Sequence, residues 1–539
     1  MSAITLKQAL GVLAKSSSFS VKTASDRQSD IFDELKDYLY IKSDIEEDFE
    51  RKLRLLQPGE CIFLCGSSGD GKSEILSRSY EQYKNRMSFH LDATHSFAPD
   101  QSAIEALDEL FDGLGHNQPP MVVGINIGML ANFAKEGAEK HSELKAVIED
   151  FLETGKTSNE HYIFLDFESY PKFRFDDDSE SYSYFIRKLL KKLTSPCDEN
   201  LFHFIASNPG LKSEDMLIAT NFKLLADESV QDLIITTLFK TRLLKDQFIT
   251  TRALLDLIYQ LIVGKYYLFD NLFMGKDSEL NIRIAEFDPA LVHTQILDQF
   301  VLRYELCLPD PELDDFLSSL NEIGIIFNKP RTTSGQAASL IRLFYLLKNT
   351  DFGNNYHHKF KHEFEESLLE YYESVWLKHS NYNGDKKLQS ELRSFYSNEL
   401  IPAIFKYTNR NAPELSRREF FLGEFGTCKV AAPVELKVDY NKIHFETIDK
   451  YDFFNAYLKL GEKELKPISI NLNLFELICK LNNGYRPNKY DKNAIVLLDE
   501  IIEQVRLVAK VSPVLKYYEG GKSYCLGLDE SLITVEVTN

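Results

Sequence analysis

Residues 61–73 read Cys-Ile-Phe-Leu-Cys-Gly-Ser-Ser-Gly-Asp-Gly-Lys-Ser, a short apolar stretch that runs directly into the spacing G-x-x-x-x-G-K-S. The five apolar residues predict a buried strand, and the periodicity of residues 73–83 predicts a helix. A strand before the glycines and a helix after them is the context in which this spacing forms a P-loop, a turn that binds phosphate. The sequence therefore predicts a nucleoside triphosphate at residues 66–73.

Each kind of residue in this segment has a physical role in such a loop. Its glycines permit backbone angles that turn successive N–H groups toward phosphate oxygens. Lys72 would place its ammonium against the β- and γ-phosphates, and Ser73 would offer its hydroxyl to Mg²⁺. The helix that follows points the positive end of its dipole at the same anion. The predicted contacts to ATP are Gly66, Ser67, Ser68, Gly69, Asp70, Gly71, Lys72 and Ser73.

Length and composition limit the class of protein. A chain of 539 residues is too long for one hydrophobic core, so several domains are expected. No apolar run reaches the roughly 18 residues that span a bilayer, and the first residues lack a signal-peptide pattern. The seven cysteines are scattered without a C-x-x-C pair, which is typical of reduced thiols. We therefore expect a cytoplasmic protein without membrane contact.

The formal net charge of −20 bears on possible partners. Neutralisation of phosphates supplies most of the affinity of proteins for DNA, so this chain repels a duplex on average. Any contact with DNA is expected to use a local basic patch or a partner subunit. One candidate patch combines Lys329 and Arg331 in a basic turn with Arg342 on the helix predicted to follow.

Hydrophobic patterning predicts an α/β fold with a mainly parallel sheet. Apolar strands near residues 61–65, 87–93, 121–127 and 162–167 alternate with helical segments, as in a parallel sheet covered on both faces. An almost entirely helical period then covers residues 213–265, 283–307, 311–324, 335–349 and 360–377. A Gly-Gly turn predicts a hairpin over residues 514–528. The predicted parts are N-terminal helices (1–54), a nucleotide-binding domain (55–245), a helical lid (246–400) and a small α+β domain (401–539).

A P-loop also needs a carboxylate at the tip of a neighbouring strand to hold Mg²⁺, directly or through water. Asp92 ends Ser-Phe-His-Leu-Asp, and Asp166 lies in Tyr-Ile-Phe-Leu-Asp-Phe-Glu. Neither matches four apolar residues followed by Asp-Glu, so both stay candidates; we take Asp92 with Ser73 as the predicted metal contacts. Asn126 has the equivalent place on the third strand, where a polar sensor could touch the γ-phosphate.

Arg252 is a candidate for coupling the nucleotide to the helical region. The sequence Phe248-Ile-Thr-Thr-Arg252 precedes an apolar helical run, so a helix with a threonine cap is predicted to begin there. An arginine at the start of a helical lid can reach back to the γ-phosphate. The alternative is a surface arginine in the first turn, where the helix dipole slightly disfavours it.

Several of these motifs together resemble a known family. They are Gly66-Ser-Ser-Gly-Asp-Gly-Lys-Ser-Glu-Ile-Leu76, His90-Leu-Asp-Ala-Thr-His-Ser96, Val122-Val-Gly-Ile-Asn-Ile-Gly-Met-Leu130, Leu165-Asp-Phe-Glu-Ser-Tyr-Pro171 and Ile401-Pro-Ala-Ile-Phe-Lys-Tyr-Thr-Asn-Arg410. Over most of its length the chain is similar to the F component (DptF) of bacterial DNA phosphorothioation-dependent restriction systems. Hosts of these systems replace a non-bridging phosphate oxygen of their DNA with sulfur. The F, G and H components then damage DNA that lacks the mark.

This resemblance implies an AAA-like P-loop NTPase that works in antiviral defence with the G and H components as partners. It implies ATP binding at residues 66–73 only, because the acidic strand ends depart from the usual ATPase pattern. A nucleotide-gated scaffold with negligible hydrolysis is one alternative, and an unrelated AAA- or STAND-like signalling ATPase is another. We identify no nuclease site in the sequence.

Overall fold

The chain forms two compact units in the structure, which is a computed structural model. The structure describes residues 4–15, 31–92, 101–114, 118–159, 161–175, 182–208, 213–327, 335–351, 353–364, 367–416, 418–444, 452–520, 522–529 and 532–538. Unit 1 comprises Met1–Arg174, Glu180–Arg242 and Gln247–Phe364, and unit 2 comprises Phe175–Ser179, Leu243–Asp246 and Glu365–Asn539. The predicted division into four parts is finer than these units and stays a prediction. Nowhere in the described ranges is a helix both long and apolar enough to cross a bilayer.

The first half of unit 1 alternates helices and strands as the sequence predicts. In chain order they are α1 (Leu6–Leu10), α2 (Ile31–Leu39), α3 (Asp44–Leu55), β1 (Cys61–Cys65), α4 (Lys72–Tyr83), β2 (Ser88–His90), α5 (Ala103–Phe111), β3 (Met121–Ile125), α6 (Ile127–Glu136), α7 (Ser142–Thr154), β4 (Tyr162–Asp166), α8 (Tyr184–Thr194) and α9 (Leu201–Ala206). All four predicted strands are confirmed. Strand β2 is shorter than predicted, and the predicted end of that strand at Ala93 lies outside the described residues.

The four strands form one parallel sheet in the order β2-β3-β1-β4. Strand β1 is fully buried, since helices cover both faces of the sheet. On one face Phe63 stacks on Phe164, with ring centroids 5.1 Å apart. On the other face Leu64 packs in a cluster with Phe49 of α3 and Leu76 of α4. The mixed α/β class with a parallel sheet is thereby confirmed, and the carboxyl ends of all four strands meet at one edge.

The described residues of the second half of unit 1 form helices joined by short connections, without strands. Its helices are α10 (Ser213–Ala226), α11 (Glu228–Lys245), α12 (Thr251–Val263), α13 (Leu268–Met274), α14 (Glu279–Ala285), α15 (Gln295–Glu305), α16 (Pro311–Glu322) and α17 (Gly335–Leu346), with 3₁₀ turns at Pro289–Leu291 and Tyr356–Phe364. The predicted helical region is confirmed. The last residues of α11 belong to unit 2.

Arg342 of α17 is held by two carboxylates. Its guanidinium lies 2.7 Å from Asp288 and 2.8 Å from Asp270, and only 12% of its side chain is exposed. A guanidinium paired in this way cannot also grip a phosphate backbone, so its predicted place in an exposed DNA-binding patch is wrong. The other two members of that patch, Lys329 and Arg331, lie outside the described residues.

Unit 2 combines helices with antiparallel strands. Its elements are α18 (Ser367–Ser380), α19 (Lys386–Phe395), α20 (Ile401–Thr408), β5 (Glu419–Phe425), β6 (Cys428–Pro433), β7 (Leu436–Val438), α21 (Tyr440–His444), β8 (Phe453–Ala456), β9 (Leu458–Leu460), β10 (Lys463–Glu464), β11 (Ile468–Asn471), α22 (Leu472–Asn482), α23 (Lys492–Ala509), β12 (Val514–Glu519), β13 (Lys522–Asp529) and β14 (Leu532–Thr538). Five strands form a sheet in the order β14-β13-β12-β6-β5. The predicted hairpin is β12–β13.

Unit 2 also includes short stretches from much earlier in the chain. The ring of Phe175 lies 5.3 Å from that of Trp376 on α18. The side-chain amide of Asn473 on α22 donates a hydrogen bond to the carbonyl of Leu244 at 3.2 Å. The core of this unit therefore depends on residues that lie between the segments of unit 1 in the sequence.

Candidate functional site

Residues 66–73, called the glycine loop from here on, connect β1 to the first turn of α4. Gly69 has φ +90° and Gly71 has φ +106°, values in the left-handed region that favours glycine. Gly71 is the N-cap of α4, and a Cβ built on it would meet no atom within 4 Å. The loop thus leaves open space at the amino end of a twelve-residue helix, where backbone N–H groups and the helix dipole favour an anion.

Lys72 lies folded over its own loop. Its Nζ donates hydrogen bonds to the carbonyl of Gly66 at 2.9 Å and to that of Ser67 at 2.7 Å. Burial lowers the pKa of Lys72, while the nearby charges of Asp70 and Asp92 raise it. An ammonium held only by backbone carbonyls can exchange them for phosphate oxygens, which form stronger charge-assisted hydrogen bonds.

Asp70 is buried beneath the loop and forms an ion pair that the sequence analysis did not identify. Its Oδ2 accepts a hydrogen bond from the backbone N–H of Ser67 at 2.7 Å. The Nζ of Lys172, in the segment after β4, lies 3.9 Å from its Oδ1. Burial raises the pKa of Asp70 and lowers the pKa of Lys172. The sequence signal for this ion pair is Asp70 itself, because a carboxylate buried inside such a loop needs a cation near it.

The first turn of α12 contacts the glycine loop directly. The backbone N–H of Arg252 donates to the carbonyl of Gly69 at 3.0 Å, and the hydroxyl of Thr251 donates to the carbonyl of Asp70 at 3.2 Å. Thr250 caps the helix by accepting from the N–H of Ala253, which confirms the predicted threonine cap. The predicted role of the Arg252 guanidinium at a γ-phosphate stays a prediction.

The strand register places two predicted polar residues beside the start of the loop. Cys65 of β1 pairs with Ile125 of β3 and with Asp166 of β4, so Asn126 and Asp166 lie on either side of Gly66. The side-chain oxygen of Asn126 caps α6 by accepting from Gly128 N–H at 2.9 Å. Oδ1 of Asp166 accepts from Glu168 N–H at 3.2 Å. Both side chains are thus oriented by local turns at the strand ends.

Asp92 approaches the loop from farther along the sheet. It follows β2, and β3 separates that strand from β1. Its carboxylate is nevertheless one of the charges that raise the pKa of Lys72. The structure therefore brings all five predicted catalytic residues, Lys72, Asp92, Asn126, Asp166 and Arg252, to the edge of the sheet where the glycine loop lies.

The residues at this edge fit a magnesium ion bound together with a triphosphate. Mg²⁺ is commonly held by one or two protein oxygens, with phosphate oxygens and waters completing the octahedron. Ser73 is exposed in the first turn of α4, and Asp92 or Asp166 would supply the carboxylate. Across the described residues there is no cluster of three or more His, Cys, Asp or Glu that could hold a metal ion by itself.

Two cavities elsewhere in unit 1 do not overlap these residues. One, of about 450 Å³, is lined by the first residues of β2 and β3, Ser88 and Met121, at the opposite edge of the sheet from the glycine loop. The other, of about 500 Å³, lies between α15 and the 3₁₀ turn Tyr356–Phe364. Neither brings together the residues predicted from the sequence.

Comparison with known proteins identifies no relative of this chain. No protein-family model matches the chain, and no similar protein is found among curated proteins or solved structures.

Proposed function

We propose that this protein binds ATP with Mg²⁺ at the glycine loop and hydrolyses it. The carrying observation is the loop itself: two glycines with positive φ, open space at the amino end of α4, and the Lys72 ammonium held by two backbone carbonyls. Backbone N–H groups, a helix dipole and a lysine arranged in this way are the elements of a phosphate cradle.

The neighbouring residues support hydrolysis by an AAA-like arrangement. In this proposal Lys72 would exchange its two carbonyls for the β- and γ-phosphates. Ser73 and Asp92 would hold Mg²⁺, which would neutralise phosphate charge. Asn126 directly follows β3, the strand between β1 and β2, a suitable place for a sensor of the γ-phosphate. Arg252 begins the helix that contacts the loop, so it would sense whether the nucleotide is present.

The cellular role that we propose follows from the resemblance of the motifs. The chain would be the ATP-binding subunit of a bacterial restriction complex that acts on DNA without phosphorothioate, with the G and H components as partners. Nucleotide binding would regulate or drive engagement of DNA by the assembled complex. If the genes next to this one encode neither sulfur modification nor restriction proteins, a signalling ATPase becomes the better proposal.

One observation favours a second candidate, a nucleotide-gated scaffold with negligible hydrolysis. An oxygen of Asn126 and an oxygen of Asp166 are already used to cap local turns, so fewer acceptors remain to orient a metal or a water. A turnover assay with and without DNA and the partner subunits separates the two candidates. The scaffold predicts phosphate release at background in every condition, whereas the ATPase predicts release that Lys72→Ala abolishes.

Calorimetric titration with Mg·ATP tests the binding proposal. We expect Lys72→Ala to weaken ATP binding by roughly tenfold or more, because hydrogen bonds from a charged donor to the phosphates are lost. Lys84→Ala is the matched control, since Lys84 lies just beyond the other end of α4 and pairs with Glu81; it should bind like the wild type. Unchanged affinity of the Lys72→Ala protein would contradict the proposal.

A further inference from the structure

We propose that Lys172 is a positioning residue of the glycine loop, where it offsets the buried charge of Asp70 and thereby allows the loop to accept a triphosphate. This inference rests on the proposed function and deepens it. It assigns a role to a lysine that lies outside the P-loop spacing.

The contacts of Asp70 show why such a residue is needed. The side chain of Asp70 is completely buried, and its Oδ2 is bound by the N–H of Ser67 within the same loop. Its Oδ1 is also buried and has no hydrogen-bond partner among the described residues. A buried carboxylate with an unsatisfied oxygen is costly unless a cation lies near it. The Nζ of Lys172 is 3.9 Å from that oxygen.

Lys172 is held in place at its backbone and along its side chain. Its carbonyl accepts a hydrogen bond from the hydroxyl of Ser183 at 2.5 Å, and the same hydroxyl caps α8 by accepting from Ile186 N–H. Its Nζ lies 5.8 Å from the ring centroid of Phe248. Only 15% of the side chain is exposed. The ammonium is therefore directed at the glycine loop and away from solvent.

The position of Lys172 matters because of the balance of charge at the glycine loop. Lys72 contributes a positive charge and Asp70 a negative one, so these two alone leave the cradle neutral toward a highly charged anion. Asp92 and Glu168 add further negative charge nearby. Lys172 adds a positive charge at a buried position, where it offsets Asp70 and where Coulomb interactions are weakly screened. Removing it would leave Asp70 facing the phosphates without compensation, and the resulting repulsion would grow with the number of phosphates.

A double-mutant cycle in the full-length protein tests this role. Affinities for Mg·ATP, Mg·ADP and AMP are measured by calorimetry for the wild type, Lys172→Met, Asp70→Asn and the double variant, with thermal unfolding as a check of folding. We expect Lys172→Met to bind ATP about tenfold more weakly, ADP less affected and AMP least. Asp70→Asn should bind ATP more tightly than the wild type, and the double variant should return to within about threefold of it.

Lys140→Met is the control for Lys172→Met. Lys140→Met also removes a lysine that pairs with an aspartate, Asp112, and should leave all three affinities unchanged. Wild-type affinity of Lys172→Met, equal losses for ATP, ADP and AMP, or no rescue by Asp70→Asn would each overturn the inference. If Lys172→Met does not fold, the comparison of Asp70→Asn with the double variant still decides it. A wild-type protein that binds no ATP would contradict the proposed function instead.

Discussion

At the scale of single residues, the two acidic strand ends have different electrostatic surroundings. The charge of Asp92 acts on Lys72, where it raises the lysine pKa. The charge of Asp166 acts on the buried thiol of Cys65, whose pKa is raised mainly by burial and further by this carboxylate. If the proposed function holds, the carboxylate that interacts with Lys72 is the better candidate to hold the Mg²⁺.

This difference predicts the effect of two isosteric substitutions. We expect Asp92→Asn to lower the rate of ATP turnover by about a hundredfold, a loss typical of removing one electrostatic group that stabilises a transition state. Fold and ATP affinity should be nearly unchanged, because an amide replaces a carboxylate of the same size. Asp166→Asn should change turnover little. Phosphate release and circular dichroism measure both, and the reverse pattern would assign the metal to Asp166.

The spacing of the glycine loop is readable from the sequence, whereas its buried partner Lys172 is not. The loop is readable because each of its positions has a fixed chemical task at a fixed spacing. Asp70 lies in the loop after β1, and Lys172 lies in the segment after β4. No local sequence pattern encodes which loops a fold brings together. Lys172 follows Tyr170-Pro171, a context that reads as an ordinary surface turn.

At the scale of elements, the contact between the glycine loop and α12 leaves little room at Gly69. A Cβ added there would lie 2.9 Å from the Cβ of Arg252 and 3.3 Å from the hydroxyl of Thr250. The φ of +90° would also strain any residue with a side chain. The glycine loop and α12 of the helical half of unit 1 therefore have to move together.

We expect Gly69→Ala to lower the free energy of unfolding by about 2–4 kcal/mol, the sum of left-handed strain and overpacking. Gly155→Ala is the matched control, since Gly155 has φ +72° but no atom within 4 Å of an added Cβ. It should lose only about 1 kcal/mol, the strain alone. Urea unfolding of both variants measures the difference. Equal losses would show that the close approach of α12 has no energetic consequence.

The sequence predicted the elements of unit 1 better than those of unit 2, for physical reasons. Strands β1 and β3 are apolar along their whole length because both faces are buried. Strands β7, β9 and β10 have two or three residues each, too few to show a period. The sequence of strand β14 does indicate a strand, although none was predicted there. Its residues Leu-Ile-Thr-Val-Glu-Val-Thr include the alternation expected of a half-exposed strand.

At the scale of the whole molecule, the net charge of −20 opposes any general affinity for nucleic acid. The pairing of Arg342 with Asp270 and Asp288 removes one of the few cations that the sequence offered for a local patch. Contact with DNA in the proposed complex would therefore depend largely on the partner subunits.

This balance predicts weak binding of duplex DNA by the isolated protein at physiological salt, with Kd no tighter than roughly 10⁻⁶ to 10⁻⁴ M, the range of non-specific contacts. Fluorescence anisotropy with a labelled duplex at several salt concentrations measures it. The Arg342→Ala variant should bind DNA like the wild type and be less stable, because two buried carboxylates lose their partner. Tight, salt-insensitive binding by the lone subunit would contradict the charge argument.

Unit 2 consists of three separate stretches of the chain, and this affects how it folds during synthesis on the ribosome. Phe175 and Leu244 emerge long before Trp376 and Asn473, their partners in the finished unit. At roughly 5–20 residues per second, the ribosome needs many seconds to translate the residues between Phe175 and Trp376. Unit 1 can begin to become compact earlier, whereas unit 2 can close only after translation has passed α22.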